Sequence, residues 1–181
     1  IILILRPHMT KRLKRHIRTA RYIAYKETLI DFNEHLWTFL GSFFGIGLIG
    51  LVNSRYFSPV DNLFLIGSFG ASSVLVYGII NSPLAQPRNL IGGHVICALV
   101  GVTLHKLIPG EVWLASALSV SISIVLMQIT KTLHPPGGAT ALIANIGSEK
   151  IRALGYLYVL CPVLSGALML LLVAIFFNNR T

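Results

Sequence analysis

Charged residues cut this chain into uncharged stretches at 35–54, 62–87, 89–105, 112–130, 132–148 and 153–179. A charge at the centre of a bilayer costs at least about 2.5 kcal/mol, so charges mark where membrane-crossing segments end. A helix crosses the hydrocarbon core with about 20 apolar residues. The first, second, fourth and sixth stretches are long enough, and the third is at the short limit. The fifth is cut by Pro135 and Pro136, which leaves Gly137 to Gly147 as its helical run. Lipid offers backbone groups no partners, which excludes an open sheet. The apolar runs show no sustained alternation, which argues against a barrel. The expected fold is an all-α membrane protein, with about six transmembrane or partly re-entrant helices.

Composition agrees. Charged residues make up 12% of the 181 residues, where a soluble domain carries about 25%. Eight of the 15 Lys and Arg residues precede Glu27, within a net charge of +9. No stacking module or base-reading motif accompanies this basic cluster, so nucleic acid is not the expected partner. A basic segment before a membrane span is what cytoplasmic topology requires. Residues 10–34 have Leu13, Ile17, Ala20, Ala24 and Leu29 on one broad side, which suits an amphipathic helix on the membrane surface or a solvated helix against loops. The chain is divided into a basic N-terminal segment, 1–34, and a transmembrane domain, 35–181. Residues 1–8 are set aside as a remnant or an extended reading frame ahead of an expected start at Met9. Cys97 and Cys161 lie in apolar stretches and are expected as free thiols.

Within the spans, Gly41 and Gly45 form a GxxxG pair, and Ser116, Ser119 and Ser123 share a helix face. Both patterns are expected to pack helices closely. Self-association of the chain stays open.

Two segments resemble each other. Ser68-Phe69-Gly70-Ala71-Ser72-Ser73-Val74-Leu75 aligns with Pro136-Gly137-Gly138-Ala139-Thr140-Ala141-Leu142-Ile143. Each is the second segment of a three-segment half, so two repeats are expected, with Gly70 and Gly138 near the midplane. Helix N-termini there would offer unpaired N–H groups and partial positive charge to an anion. The substrate-binding candidates are therefore Gly70, Ala71, Ser72, Ser73, Gly137, Gly138, Ala139 and Thr140. Pro135 and Pro136 are expected to lead into a helix beginning near Gly137, with His134 bonding a neighbouring chain segment or lining a vestibule. Between the halves, Ser82 to Asn89 holds Pro83 and Pro87. Gln86, Arg88 and Asn89, followed by His94, are candidates for a pathway or for structural capping.

Enzyme chemistry has no support. The histidines show no HxxxH or HExxH spacing, the acids Asp61, Glu111 and Glu149 sit in separate loops, and no nucleophile elbow or phosphate loop occurs. No metal, cofactor or catalytic residue is expected.

Three blocks carry a family resemblance. His134-Pro135-Pro136-Gly137-Gly138-Ala139-Thr140-Ala141-Leu142 resembles the signature of the HPP family of integral membrane proteins. Gly67 to Ser73 and Ser82 to His94 resemble its other two blocks, in the family's order. The resemblance spans about residues 35–177. It implies transport, since plant and cyanobacterial members are associated with nitrite, including import into plastids. The expectation is a transporter or channel for a small monovalent anion, nitrite first. It is placed in a bacterial inner membrane, or alternatively a plastid inner envelope, with the N-terminus cytoplasmic. The rival expectation is a non-transporting membrane scaffold or sensor.

Overall fold

A computed structural model describes residues 14–19, 32–56 and 67–179. The chain falls into two compact units, Ile1–Leu36 and Trp37–Thr181. In the first, residues 14–19 form a helical stretch, α1, and most of the expected surface helix over 10–34 lies outside the described residues. The second holds the bundle. Its elements are α2 (Phe32–Tyr56, entering from the first unit), α3 (Gly67–Ser73) running into a π-helical turn (Val74–Gly78), a 3-10 turn (Pro83–Ala85) and α4 (Pro87–Leu107). There follow α5 (Val112–Ile129), α6 (Pro135–Ile146), α7 (Glu149–Ala153), a π-helical segment (Val159–Leu164) and α8 (Ser165–Asn178).

Among the described residues, four helices are long and apolar enough to cross a membrane: α2, α4, α5 and the run Val159–Asn178. They correspond to the first, third, fourth and sixth uncharged stretches. The second and fifth behave differently. Gly67 to Gly78 and Pro135 to Ile146 are twelve residues each, about 18 Å of helix, too short to span. For 62–87 this corrects the expectation of a full-length crossing. The helix ends after Gly78, and Pro83 and Pro87 hold the following chain in a turn and then at the first position of α4.

The third stretch grows instead of shrinking. α4 takes in Arg88 and Lys106, one at each end, and reaches 21 residues, about 30 Å. Charges at the ends of a span can reach water while their backbone stays helical.

The tightest packing joins α4, α5 and α6. A Cβ added to Gly137 would lie 2.8 Å from Cys97 Sγ and 3.0 Å from the Gly93 carbonyl oxygen. One added to Gly101 would lie 2.6 Å from the Ala141 carbonyl oxygen. Gly93, Cys97 and Gly101 thus form a one-per-turn seam on which the α6 backbone rests, the close approach that small residues allow. The GxxxG pair also packs locally. A Cβ at Gly45 would fall 2.2 Å from Tyr77 Oη, so the groove is filled by Tyr77. Its hydroxyl donates to the Leu170 carbonyl at 2.9 Å. Ser116, Ser119 and Ser123 are all buried on α5, as their spacing predicts.

Large apolar side chains cover the outside. Trp113, Leu172 and Phe176 are each two-thirds or more exposed, as lipid contact requires. Both cysteines are free.

Candidate functional site

The three motif blocks converge on one buried cluster. The Gly67–Ser73 block supplies Ser68 and Ser72 from α3. The Ser82–His94 block supplies His94 from α4 and the Leu84 carbonyl from the 3-10 turn. The His134–Leu142 block supplies His134 and Thr140. Ser68, Ser72, His94, His134 and Thr140 are all fully buried.

His94 is the hub. Its Nε2 lies 2.7 Å from Ser72 Oγ and its Nδ1 lies 2.7 Å from Thr140 Oγ1. Ser72 and Thr140 are the equivalent hydroxyl positions of the two aligned segments, so the imidazole is bracketed by matching residues from both short helices. Ser72 Oγ is also 2.9 Å from His134 Nε2 and 3.0 Å from the Ser68 carbonyl oxygen. Thr140 Oγ1 and Ser68 Oγ are 2.9 Å apart. The two imidazole rings meet edge to face with centroids 5.0 Å apart, and Phe69 packs against His94 at 5.4 Å.

His134 occupies the N-cap position of α6, but its side chain makes no cap. Its Nδ1 instead donates to the Leu84 carbonyl at 2.8 Å, a bond to a neighbouring chain segment. The helix starts at Pro135, two residues earlier than expected, because prolines at its first positions need no N–H partner. Gly70, Ala71 and Ala139 face outward, and a Cβ at Gly70 would meet nothing within 4 Å. Gly137 is buried against α4 and Gly138 is half-buried. Ser73 turns its hydroxyl back to the Phe69 carbonyl at 2.9 Å. The two turns therefore meet through Ser68, Ser72 and Thr140, and their glycines do not face each other.

The pathway candidates brace one end of the bundle. α5 ends in a Schellman turn, with Thr132 N–H donating to the Met127 carbonyl and Lys131 N–H to that of Gln128. Lys131 takes the left-handed position at φ 56°, a place usually given to glycine. Arg88 donates to the Thr130 carbonyl at 3.0 Å and also to that of Lys131. A cation beside the exposed carbonyls of a helix C-terminus is electrostatically favourable. Asn89 donates to the Leu133 carbonyl at 2.7 Å, and Gln86 donates to the Ser82 carbonyl at 2.9 Å. Ser82 caps the 3-10 turn through Leu84 N–H at 3.2 Å.

The opposite end of α4 is open. A cavity of about 240 Å³ is lined by His105, Lys106 and Arg152, with Ala144 and Tyr158 also on its walls. No carboxylate lines it among the described residues. Tyr158 is fully buried, and its hydroxyl donates to the Thr140 carbonyl at 3.1 Å. The cavity wall thus touches the backbone of the buried cluster. Sequence reasoning missed this cavity, Ser68 and Tyr158. The signal available was that Lys106 closes the uncharged stretch 89–105 and Arg152 stands just before the stretch 153–179.

Multiple apolar spans around a buried polar cluster define a multi-pass integral membrane protein. The family model described as "HPP, transmembrane region" matches residues 27–181, and the chain belongs to that family. A transmembrane protein of Dictyostelium discoideum is 47% identical over 152 residues, which cover 82% of this chain and 53% of the relative. A second transmembrane protein of the same organism is 45% identical over 152 residues, covering 82% of this chain and 49% of that relative. The chain spans about half the length of the curated relatives it matches. Both relatives come from a eukaryote, so they lend nothing to the expected bacterial inner membrane. No solved structure matches.

Proposed function

We propose that this chain moves a small monovalent anion across the membrane, as a transporter or channel, with nitrite the first candidate. The observation that carries the reading is the cavity walled by His105, Lys106 and Arg152, whose wall residue Tyr158 in turn bonds the Thr140 carbonyl. Cations around a concave mouth concentrate anions locally. Beyond the mouth lie the hydroxyls of Ser72 and Thr140, which can donate to an anion once released from His94. In this arrangement the path between the two short helices is closed. A seam of Ser, Thr and His between them suits passage of an ion better than it suits a scaffold, whose seam would be apolar. Nitrite is favoured by the family's association with it. The charge of the basic segment before α2 supports a cytoplasmic N-terminus. A cysteine introduced at Thr19 should resist an impermeant thiol reagent added outside cells, and ready labelling would reverse that orientation.

The transport test is uptake of nitrite into liposomes holding the purified chain, with nitrate, formate and chloride as competitors. Thr140→Val keeps the side-chain shape and removes the donor. Losing one such bond costs about 0.5–1.5 kcal/mol, so apparent affinity should fall by up to about tenfold. Uptake unchanged in the Thr140→Val and Ser72→Ala double variant would sink this path.

A further inference from the structure

The hydrogen bonds of the buried cluster run from Ser68 Oγ through Thr140 Oγ1, His94, Ser72 Oγ and His134 to the Leu84 carbonyl, with one branch from Ser72 Oγ to the Ser68 carbonyl. The last partner fixes the proton positions. A carbonyl only accepts, so His134 Nδ1 carries a hydrogen. If His134 is neutral, its Nε2 must accept, and Ser72 donates to it. Ser72 Oγ then accepts from His94 Nε2–H and His94 Nδ1 accepts from Thr140, which requires the Ser68–Thr140 bond, where Thr140 donates in this structure, to turn round so that Ser68 donates. Every donor in the run points toward His134.

One added proton reverses this order without breaking a contact. A proton taken up at Ser68 Oγ displaces that group's hydrogen to Thr140. Thr140 passes its own hydrogen to His94 Nδ1, His94 passes its Nε2 hydrogen to Ser72, and Ser72 passes its hydrogen to His134 Nε2. His134 now carries hydrogens on both nitrogens and one positive charge. Ser72 donates back to His94 Nε2, His94 Nδ1 donates to Thr140, and Thr140 donates to Ser68. Ser72 can alternatively turn its hydrogen to the Ser68 carbonyl, 3.0 Å away. The loaded state keeps Thr140 donating to Ser68, the direction this structure has.

We propose that this run is a proton relay with His134 as the proton carrier, and that anion and proton load together; the coupling rests on the transport reading above. The charges around His134 support the pairing. Its titratable neighbour is His94 on α4, whose ring meets it edge to face; Cys97 on the same helix packs against Met127, and Tyr158 is reached only through the Thr140 carbonyl. Arg88 is held on the Thr130 and Lys131 carbonyls at one end of the bundle. None is a carboxylate, and among the described residues the acids Glu34, Glu111 and Glu149 sit at or beyond helix starts. Among the described residues, then, no carboxylate is placed to pair with a cation on His134. A buried unpaired charge is strongly disfavoured, so an anion entering from the cationic cavity supplies the missing partner. A one-to-one load is electrically neutral and crosses the bilayer without working against the membrane potential.

The test uses the purified full chain in liposomes, with protein-free liposomes to subtract passage of the undissociated acid. An inward proton gradient should drive nitrite accumulation, and a valinomycin-set potassium potential should leave the rate unchanged. His134→Asn keeps a side-chain N–H for the Leu84 carbonyl and removes the site that gains a proton. It should accumulate at least tenfold less nitrite at the same gradient. Histidine ¹⁵N NMR of the unmodified chain needs no variant: adding nitrite should convert one neutral imidazole signal to imidazolium. Nitrite uptake that follows the membrane potential and ignores the proton gradient would overturn the relay while leaving transport standing. So would an NMR spectrum with no new imidazolium during active uptake. A chain that neither takes up nor exchanges nitrite overturns both readings.

Discussion

The two ends of α4 are built to opposite purposes. At its start, Arg88 and Asn89 reach across to the carbonyls of Thr130, Lys131 and Leu133, and His134 ties the same turn to Leu84. At its end, about 30 Å away, Lys106 and His105 line an open cavity with Arg152. One end spends its polar groups on the protein's own backbone, and the other leaves cations facing a space. The difference teaches which end is latched in this conformation. The buried cluster lies between them, closed off from the latched end by direct hydrogen bonds and from the open end by Tyr158.

The latched end should be the more sensitive to added volume. A Cβ at Gly93 would fall 2.6 Å from His134 Cβ and 3.0 Å from the Thr132 carbonyl oxygen. Gly93→Val adds an isopropyl group where backbone already touches, so destabilisation of about 3 kcal/mol is expected. Gly70→Ala, with nothing near its new methyl, should stay close to neutral. Thermal unfolding in detergent compares the two, and a Gly93→Val protein as stable as the Gly70→Ala protein would show that the close approach does not hold the end shut.

At the open end the expected effect is on uptake. Lys106→Gln with Arg152→Gln removes the lysine and arginine charges around the cavity and leaves its walls in place. If the cavity gathers anions, the nitrite concentration for half-maximal uptake should rise on the order of tenfold, and added salt should lower uptake by the unmodified chain more than by the variant. Equal loss from a matched pair of charge removals at Arg55 and Lys131 would mean that overall charge, and not this mouth, sets the rate.

The closed and open ends were not equally legible beforehand. The long spans could be read because charge is expensive in lipid, so Arg55, Glu111 and Lys131 mark real ends. Arg88 and Lys106 misled by a few residues, since a terminal side chain reaches the surface while its backbone stays in the helix. The short α3 run was hidden, because an apolar sequence reports hydrophobicity and not the point where Gly78 and Asn81-Ser82-Pro83 leave the helix. Ser72 and Thr140 were identified by their repeat. That they would bracket His94 was not, because the register between α3, α4 and α6 depends on which glycines let backbones touch. His134 and His94 are 40 positions apart, and no local spacing announces a pair that only three-dimensional packing brings together.

The smallest effect belongs to the wall between the two ends. On α5, Ser119 Oγ accepts from Asn145 Nδ2 at 2.9 Å, whereas Ser116 Oγ is buried with no hydrogen-bond partner. Removing one partner of a made bond leaves the other stranded and costs about 1–3 kcal/mol, so Ser119→Ala should destabilise, near the lower figure because Asn145 Nδ2 keeps the Ala141 carbonyl. Ser116→Ala removes an atom whose desolvation is uncompensated and opens almost no cavity. Its stability should be unchanged or raised by a few tenths of a kcal/mol, since burying a bare hydroxyl is unfavourable. Paired melting curves in one detergent resolve the sign. If Ser116→Ala destabilises as much as Ser119→Ala, the hydroxyl has a partner that forms only when the bundle shifts, and the wall between α5 and α6 moves with the latch.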